Sequence, residues 1–184
     1  TKYIGGHGTS IGGIIVDGGN FDWTANPKRQ PLFNQEDPSY KGAVWGRDVP
    51  KLTGANVAFA VRARVVLLRD LGAPLSPFNA FQIIQGLETV AIRMKQHCVN
   101  AEKVVKFLET QKKVKNVIYP TNHQGEIKDR AKRYMKGGYG SLVGMDVGTR
   151  EAGSKFIDNL KMLYHVANIG DARSLAIHPA TTTH

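Results

Sequence analysis

The chain has 184 residues, of which 41% are hydrophobic and 22% are charged, and this is the composition of an ordinary globular protein rather than a disordered one. It contains no run of about 18 apolar residues, so we expect neither a membrane-spanning helix nor a membrane partner. Cys98 is the single cysteine, which excludes a disulfide within the chain and favours a reducing, cytoplasmic location.

The net charge is +10, which raises the alternative of a non-catalytic module that binds nucleic acid. The densest basic groups are QKKVK at 111–115 and KDRAKRYMK at 128–136. Neither group is interleaved with aromatic residues as a single-strand binding surface would be, and no zinc-finger or RNP pattern is present. We therefore expect solvated helix faces that attract anionic substrates, and no nucleic-acid partner.

The chain opens with TKYIGGHGTSIGGIIVDGG, in which Lys2 precedes a glycine-rich stretch. The glycines allow positive φ angles and a close approach of the backbone to a ligand. The apolar run GGIIVD at 12–17 is typical of a short strand buried in a parallel sheet. The sequence therefore predicts that Lys2 lies at the edge of a sheet and faces a phosphorylated ligand.

Residues 18–53 are rich in Gly, Pro, Asn and Asp, which predicts a long loop, and loops of this length are usually functional. Residues 54–71 are predicted to form a helix that ends at Gly72. We expect the aromatic residues of the 18–53 insert to serve packing rather than cofactor stacking; they are Phe21, Trp23, Phe33, Tyr40 and Trp45.

The clearest predicted element is a long helix that begins at Ser76 and Pro77, which suit an N-cap and a first helical turn. It would be roughly 50 Å long, so we expect it to bridge two domains or a subunit boundary. Cys98 lies on its apolar stripe and is expected in the core. Spacings of three and four residues define that stripe, which comprises Phe81, Ile84, Leu87, Ala91, Met94, Cys98, Ala101, Val105 and Leu108.

The remaining sequence alternates between strand-like and helix-like patterns of apolar residues. KNVIYP, SLVGMDV, YHVANI and RSLAIH are strand-like, whereas EIKDRAKRYM and REAGSKFIDNL are helical. Such alternation predicts a small sheet covered by helices. We place the boundary between two domains near residue 70.

Lys2 has two distinctive chemical uses. As a point charge it could bind phosphate, but GHGTSIGG lacks the residue order of a P-loop. As an amine it could form a Schiff base with an aldehyde, and pyridoxal phosphate is the commonest aldehyde held in this way. The histidines show no metal-ligand spacing such as H-E-x-x-H, so no metal is expected.

Three motifs, in order, resemble the Cys/Met-metabolism pyridoxal-phosphate enzymes. They are TKYIGGHGTSIGGIIVDGGNFDW around Lys2, LGAPLSPFNAFQIIQGLETVAIRMKQH in the long helix, and NIGDARSLAIHPATTTH at the end. The resemblance implies an α/β PLP-dependent transferase fold of the aspartate-aminotransferase-like type. Residues 1–70 would then be the C-terminal part of the large cofactor-binding domain. Residues 71–184 would be most of a small C-terminal domain that begins with the long helix.

The resemblance also implies roles for individual residues. Lys2 matches the catalytic lysine that forms a Schiff base with pyridoxal 5'-phosphate, and Thr1 matches a residue whose hydroxyl contacts the cofactor phosphate. Ser174, in RSLA, matches a position that helps to hold the substrate α-carboxylate. The same resemblance implies that the remaining groups of the site lie outside this chain, so that the 184 residues hold the reacting amine without a complete site.

Thr9 and the 18–53 insert are most similar to the O-acetylhomoserine sulfhydrylase branch of this family. This branch converts O-acetyl-L-homoserine and sulfide to L-homocysteine and acetate in methionine and cysteine biosynthesis. Members of the whole family are usually tetramers built from tight dimers, so the resemblance implies a homotetramer. Cystathionine γ-synthase and cystathionine or methionine γ-lyase, from the same family, are the open alternatives.

Overall fold

The computed structural model of the chain describes residues 2–182, and these form two compact units. One unit is Gly13–Ser76, and the other joins the segment up to Gly12 to the chain from Pro77 onward. No helix in the described part of the chain is long and apolar enough to cross a membrane. The expected domains, 1–70 and 71–184, remain a prediction about the intact protein.

The Gly13–Ser76 unit is built from short helices. Helix α3 (Ala58–Arg62) runs directly into a π-helical segment, Ala63–Asp70, after which the Leu71 N–H donates to the Val66 carbonyl. Gly72 follows with a φ of +70°, which is the left-handed conformation expected of a glycine that ends a helix. The other elements are α1 (Pro31–Asn34), a 3-10 turn (Pro38–Tyr40), α2 (Trp45–Thr53) and α3 itself (Ala58–Arg62).

Aromatic side chains form the core of this unit. Phe33 and Trp45 are buried together with Val49 and Ala58, and Trp23 stacks on Phe33 with 4.2 Å between the ring centroids. The packing role expected for the aromatic residues of the insert is therefore confirmed for Trp23, Phe33, Tyr40 and Trp45, whereas Phe21 is 49% exposed. The prediction that 18–53 is one long loop is wrong, because α1 and α2 form within it and bring these rings together.

The strand predicted at 12–17 is absent from the structure. The segment has no strand conformation, and Ile14 and Val16 are 86% and 83% exposed. A strand forms only where its backbone finds a hydrogen-bonded partner strand, and burial of both its faces also needs elements that cover them. No strand among residues 2–182 pairs with this segment, so the prediction is wrong for this chain.

The other unit is organised around α4 (Pro77–Glu109), a helix of 33 residues that matches the predicted long helix. The strands β1 (Asn116–Ile118) and β2 (Gly144–Asp146) are antiparallel, with Val117 opposite Met145, whereas β3 (Tyr164–His165) and β4 (Leu175–Ala176) are parallel. Within residues 2–182 these are two separate two-stranded sheets rather than the one small sheet that was predicted. The predicted alternation is confirmed in the order of the elements. After α4 these are β1 (Asn116–Ile118), a 3-10 turn (Pro120–Asn122), α5 (Gly125–Tyr134), β2 (Gly144–Asp146), α6 (Arg150–Asp158), β3 (Tyr164–His165), β4 (Leu175–Ala176) and α7 (Pro179–Thr182).

The C-terminal half of α4 packs against β1. Ala101 and Val105 of the predicted stripe are buried with Val117 and Tyr119, and Cys98 lies in the interior as expected. The N-terminal half of the stripe is different, because its large apolar side chains are more than half exposed. These exposed residues are Phe81, Ile84 and Leu87.

Candidate active site

The glycine-rich segment forms a tight turn directly after Lys2. The Gly6 N–H donates to the Lys2 carbonyl over 2.9 Å. Gly6 and Gly8 adopt φ angles of +76° and +67°, which side chains other than glycine rarely tolerate. This segment, residues 2–10, is called the lysine loop below. Gly5, Gly6 and Ser10 are buried, whereas Lys2 is exposed.

The amine of Lys2 meets Asn168. Lys2 Nζ donates to Asn168 Oδ1 over 3.0 Å. Asn168 lies in the segment between β3 and β4, and this segment is tied to the lysine loop by a 2.7 Å hydrogen bond from the Ala172 N–H to the Gly6 carbonyl. Among the described residues, the hydrogen-bond partner of the Lys2 amine is therefore Asn168.

Helix α4 holds the opposite side of the lysine loop. A Cβ atom at Gly86 would collide with the Ile4 carbonyl oxygen and lie 2.6 Å from that of Gly5, so only glycine lets the loop lie this close to the helix. Two turns further along, the Arg93 guanidinium donates to the Tyr3 and Ile4 carbonyls over 2.7 Å and 2.9 Å.

A buried carboxylate organises the segment that carries Ser174. Asp171 is 6% exposed and accepts hydrogen bonds from the Arg173 backbone N–H at 2.8 Å and from Nη2 at 3.1 Å. The hydrogen bond from Arg173 holds the pKa of the Asp171 carboxyl below its ordinary value. Ser174 follows at the surface, where its carbonyl accepts from the Tyr164 N–H at the start of β3.

A cleft of about 270 Å³ lies between the lysine loop and the N-terminal part of α4. Its lining is rich in hydroxyl and amide groups, which can bind a polar ligand but supply no fixed charge. These lining residues are Thr9 and Ser10 from the loop and Gln82, Gln85 and Thr89 from the helix.

The site residues inferred from the sequence have different outcomes. Lys2 does not lie at the edge of the sheet that was predicted around 12–17, because that strand is absent. It lies instead on the lysine loop with its amine in contact with Asn168, whereas Thr1 lies outside the described residues. The roles assigned to Lys2, Thr1 and Ser174 remain predictions.

Sequence reasoning missed Asn168, Gly86 and Arg93. The available signals were an Asn, which is uncommon in strands, inside the predicted strand YHVANI, and a glycine in the interior of a helix, where it lowers helix stability and can have a packing reason. Arg93 is seven residues after Gly86 and therefore on the same helix face.

The chain matches one family over its whole length. A family model described as Cys/Met metabolism PLP-dependent enzyme matches residues 1–184. The chain is 50% identical over 190 residues to O-acetyl-L-homoserine sulfhydrylase of Leptospira meyeri, and the match covers 100% of this chain and 42% of that relative.

Solved structures agree with this match. An O-acetylhomoserine (thiol)-lyase from Campylobacter jejuni, whose structure contains N'-pyridoxyl-lysine-5'-monophosphate, gives a TM-score of 0.81 at 36% identity and covers 98% of this chain and 44% of that chain. Cystathionine γ-synthase from Xanthomonas oryzae, in complex with aminoacrylate and cysteine, gives a TM-score of 0.60 at 30% identity and covers 71% of this chain and 34% of that chain.

The fold is thus that of the PLP-dependent enzymes of Cys/Met metabolism, as the motif resemblance implied. The chain belongs to the Cys/Met metabolism PLP-dependent enzyme family. It spans less than half the length of the relatives named above. The alternative of a nucleic-acid-binding module has no support from these matches.

The residues present fit the attachment of an aldehyde cofactor. A primary amine can form a covalent link to an aldehyde that reaches its nitrogen. Lys2 is exposed, and a single hydrogen bond to a neutral amide oxygen orients its amine without an ion pair. The Lys2 amine is thus open to an aldehyde such as that of pyridoxal phosphate.

Proposed function

We propose that the intact protein converts O-acetyl-L-homoserine and sulfide to L-homocysteine and acetate. In this reaction the C–O bond at the substrate γ-carbon breaks, a C–S bond forms at the same carbon, and acetate leaves. The observation that carries the proposal is the Lys2 amine, which is exposed on an anchored loop beside Asn168. The whole-chain match to an O-acetyl-L-homoserine sulfhydrylase supports this substrate choice.

Lys2 is proposed as the cofactor-bearing lysine and as the general base. When bound, pyridoxal phosphate supplies an electron sink for negative charge at the substrate α-carbon. The free Lys2 amine would move a proton at that carbon, which requires hydrogen-bond reach and an unprotonated nitrogen. Asn168 supports this role because its oxygen accepts a hydrogen bond from Lys2 Nζ and orients it.

Thr1 and Ser174 complete the proposed roles within this chain. Thr1 is proposed to donate its hydroxyl to the cofactor phosphate. Ser174 is proposed to help to hold the substrate α-carboxylate, and its exposed position at the start of β4 leaves it open to a ligand. The +10 net charge supports the attraction of an anionic cofactor and of HS⁻.

The proposal extends to the cellular location and the assembly. We propose a cytoplasmic homotetramer, built as a dimer of dimers, whose sites are completed by segments outside this chain. The buried free thiol of Cys98 is consistent with a reducing compartment. Light scattering of the intact protein should give the mass of four chains, and a stable monomer with full activity would contradict this part of the proposal.

Cystathionine γ-synthase activity is the second candidate, and the similarity to the Xanthomonas oryzae enzyme favours it. The test is to give the intact protein O-acetyl-L-homoserine with either sulfide or cysteine as the nucleophile. We expect homocysteine from sulfide at a kcat/KM at least about tenfold above that for cystathionine from cysteine, a preference worth about 1.4 kcal/mol. Preferred formation of cystathionine would overturn the proposal in favour of the second candidate.

A further inference from the structure

Three of the four side-chain hydrogen bonds that Arg93 makes with described residues go to backbone carbonyls, and none goes to a carboxylate. Its Nη1 donates to the Tyr3 carbonyl at 2.7 Å, and its Nη2 donates to the Ile4 carbonyl at 2.9 Å and to the Gly86 carbonyl at 2.6 Å. Its Nε donates to Thr89 Oγ1 at 3.1 Å. None of the ion pairs within residues 2–182 includes Arg93. A planar guanidinium can serve three carbonyls at once, and few other side chains can.

These hydrogen bonds hold the two residues that follow Lys2. The carbonyls of Tyr3 and Ile4 point at the guanidinium, and a Cβ atom at Gly6 would lie 2.5 Å from Arg93 Nη1. The Tyr3 hydroxyl is also hydrogen-bonded to Ser141 Oγ at 2.7 Å. The backbone after Lys2 therefore has no room to shift toward α4, while the Lys2 side chain itself stays exposed.

We propose that Arg93 is a positioning residue for the Lys2 amine. It fixes the lysine loop on α4, and so fixes the origin of the Lys2 side chain without touching its nitrogen. The inference rests on the proposed function of Lys2. Reacting groups must be placed to within about 1 Å, and a misplacement of that size can cost about 100-fold in rate.

The test uses Arg93→Lys in the intact protein. Lysine keeps the charge but has a single nitrogen, so it cannot reproduce the fork that serves the Tyr3, Ile4 and Gly86 carbonyls. In the cofactor-free protein we expect amide hydrogen exchange of the 2–10 peptide to accelerate by at least about tenfold, with β1 and β2 unchanged. In the cofactor-loaded protein we expect kcat to fall by at least about tenfold, while KM for O-acetyl-L-homoserine changes by less than about threefold.

Two further variants keep the test decisive. Thr89→Val removes the acceptor of Arg93 Nε, together with a long 3.4 Å hydrogen bond from the Thr89 hydroxyl to the Gly86 carbonyl, and it leaves the Arg93 side chain intact. It should therefore fold and show a smaller change of the same kind in both measurements. Lys95→Gln removes an exposed charge on the same helix and should match wild type. If Arg93→Lys lowers hydrogen-exchange protection across the whole chain, the loop exchange and the kcat of Thr89→Val decide whether the inference holds.

The inference would be overturned if the lysine loop of Arg93→Lys exchanged its amide hydrogens at the wild-type rate. It would also be overturned if the loop exchanged faster but kcat were unchanged. These results are distinguishable from a failure of the proposed function. If Lys2→Ala retained turnover, the role of Lys2 would fail, whereas the exchange measurement on cofactor-free protein would still report whether Arg93 holds the loop.

Discussion

Gly86 lets the lysine loop lie directly on α4, and its replacement by alanine is the smallest change that tests this contact. The added methyl group would collide with the Ile4 carbonyl and approach Gly5 Cα to 2.8 Å. Because both obstacles are backbone atoms, the loop has to move. We expect Gly86→Ala to destabilise the intact protein by about 1–3 kcal/mol, despite a helix-propensity gain of at most about 1 kcal/mol.

Urea unfolding and steady-state kinetics measure this effect. We expect kcat to fall together with stability, since the displaced loop carries Lys2. Lys95→Ala, at an exposed position of the same helix, is the control and should change neither quantity appreciably. A Gly86→Ala protein with wild-type stability and kcat would show that the loop does not depend on this contact.

His97 is a single residue whose burial should make the stability of the protein depend on pH. Its Nε2 is buried and has no hydrogen-bond partner within residues 2–182, and its ring meets the edge of Tyr3 with 6.0 Å between centroids. Burial, and to a lesser extent the Arg93 charge, lowers the pKa of His97. The unfolded chain therefore binds a proton first as the pH falls through about 6.5, and this favours unfolding.

We expect His97→Gln to remove this acid sensitivity. The contribution is fully present above the unfolded pKa and is lost as the pH falls toward the lower folded pKa. Unfolding free energies measured at about pH 7 and about pH 5 should thus differ less in the variant than in wild type. His165→Gln, at an exposed site, serves as the control. Equal pH dependence in wild type and His97→Gln would contradict the burial of a neutral imidazole.

The sequence indicated Lys2 but not the groups that hold it. Glycines and an apolar run beside Lys2 are local signals, and local patterns are visible in a sequence. Asn168 and Arg93 reach the lysine loop from 166 and 90 residues away. Such contacts depend on tertiary packing, so the one-dimensional pattern predicted the reactive amine and missed its supports.

Helix α4 shows how far patterning determines an element. Pro77 and the three-and-four spacing of apolar residues predicted its start and length correctly. The stripe predicted the packed face of the helix correctly only in the C-terminal half, where Ala101 and Val105 are buried. In the N-terminal half Phe81 is 53% exposed. A hydrophobic stripe shows which face of a helix can be buried. The neighbouring elements present in the chain determine which part of that face is buried.

The contact between α4 and β1 is tested best at Tyr119. This side chain is 1% exposed and its hydroxyl donates to the Gly140 carbonyl over 2.8 Å, while burial raises its pKa to about 12. Tyr119→Phe removes only the hydrogen bond and should cost about 0.5–1.5 kcal/mol. Tyr119→Ala also leaves a cavity and should cost about 3–5 kcal/mol.

Chemical denaturation of the intact protein gives both free energies. The difference between the two losses of unfolding free energy matters more than either loss alone, because Tyr119→Phe removes the hydrogen bond and Tyr119→Ala also removes the packing of the ring. Equal losses for Tyr119→Phe and Tyr119→Ala would mean that packing of the ring against Val105 and Val117 contributes little, contrary to the structure.

The strands were harder to predict than the helices. Six-residue runs such as YHVANI indicated strands, but β3 and β4 are only two residues long. A strand extends only as far as its hydrogen-bonded partner does. The sequence of a strand-like run does not show which other segment will pair with it. For the same reason 12–17 has a strand-like sequence and forms no strand among the described residues.

At the scale of the whole molecule, exposed apolar residues predict how the 184-residue chain behaves alone. Ile14, Ile15 and Val16 are consecutive and 86%, 77% and 83% exposed, and contiguous apolar surface of this kind promotes association. We expect Ile14→Lys combined with Val16→Lys to raise the soluble monomer concentration of the isolated chain. Light scattering across a concentration series measures this.

Leu52 supplies the matched control. It is 88% exposed and is the one large apolar side chain of α2 that is exposed, since Trp45 and Val49 are buried, and isolated exposed apolar residues are normal on protein surfaces. Leu52→Lys should therefore change the monomer fraction little. If the double variant associates as strongly as wild type while Leu52→Lys does not, the 14–16 segment is not the cause of association.

The central claim is that Lys2 carries the cofactor, and mass mapping after borohydride reduction of the intact, cofactor-loaded protein tests it directly. Reduction makes the lysine–cofactor link permanent, so the pyridoxyl mass should appear on the peptide that contains Lys2. It should be missing from Lys2→Ala and from Lys2→Arg, whose guanidinium stays protonated. The pyridoxyl mass on another lysine, or its persistence in Lys2→Ala, would contradict the assignment.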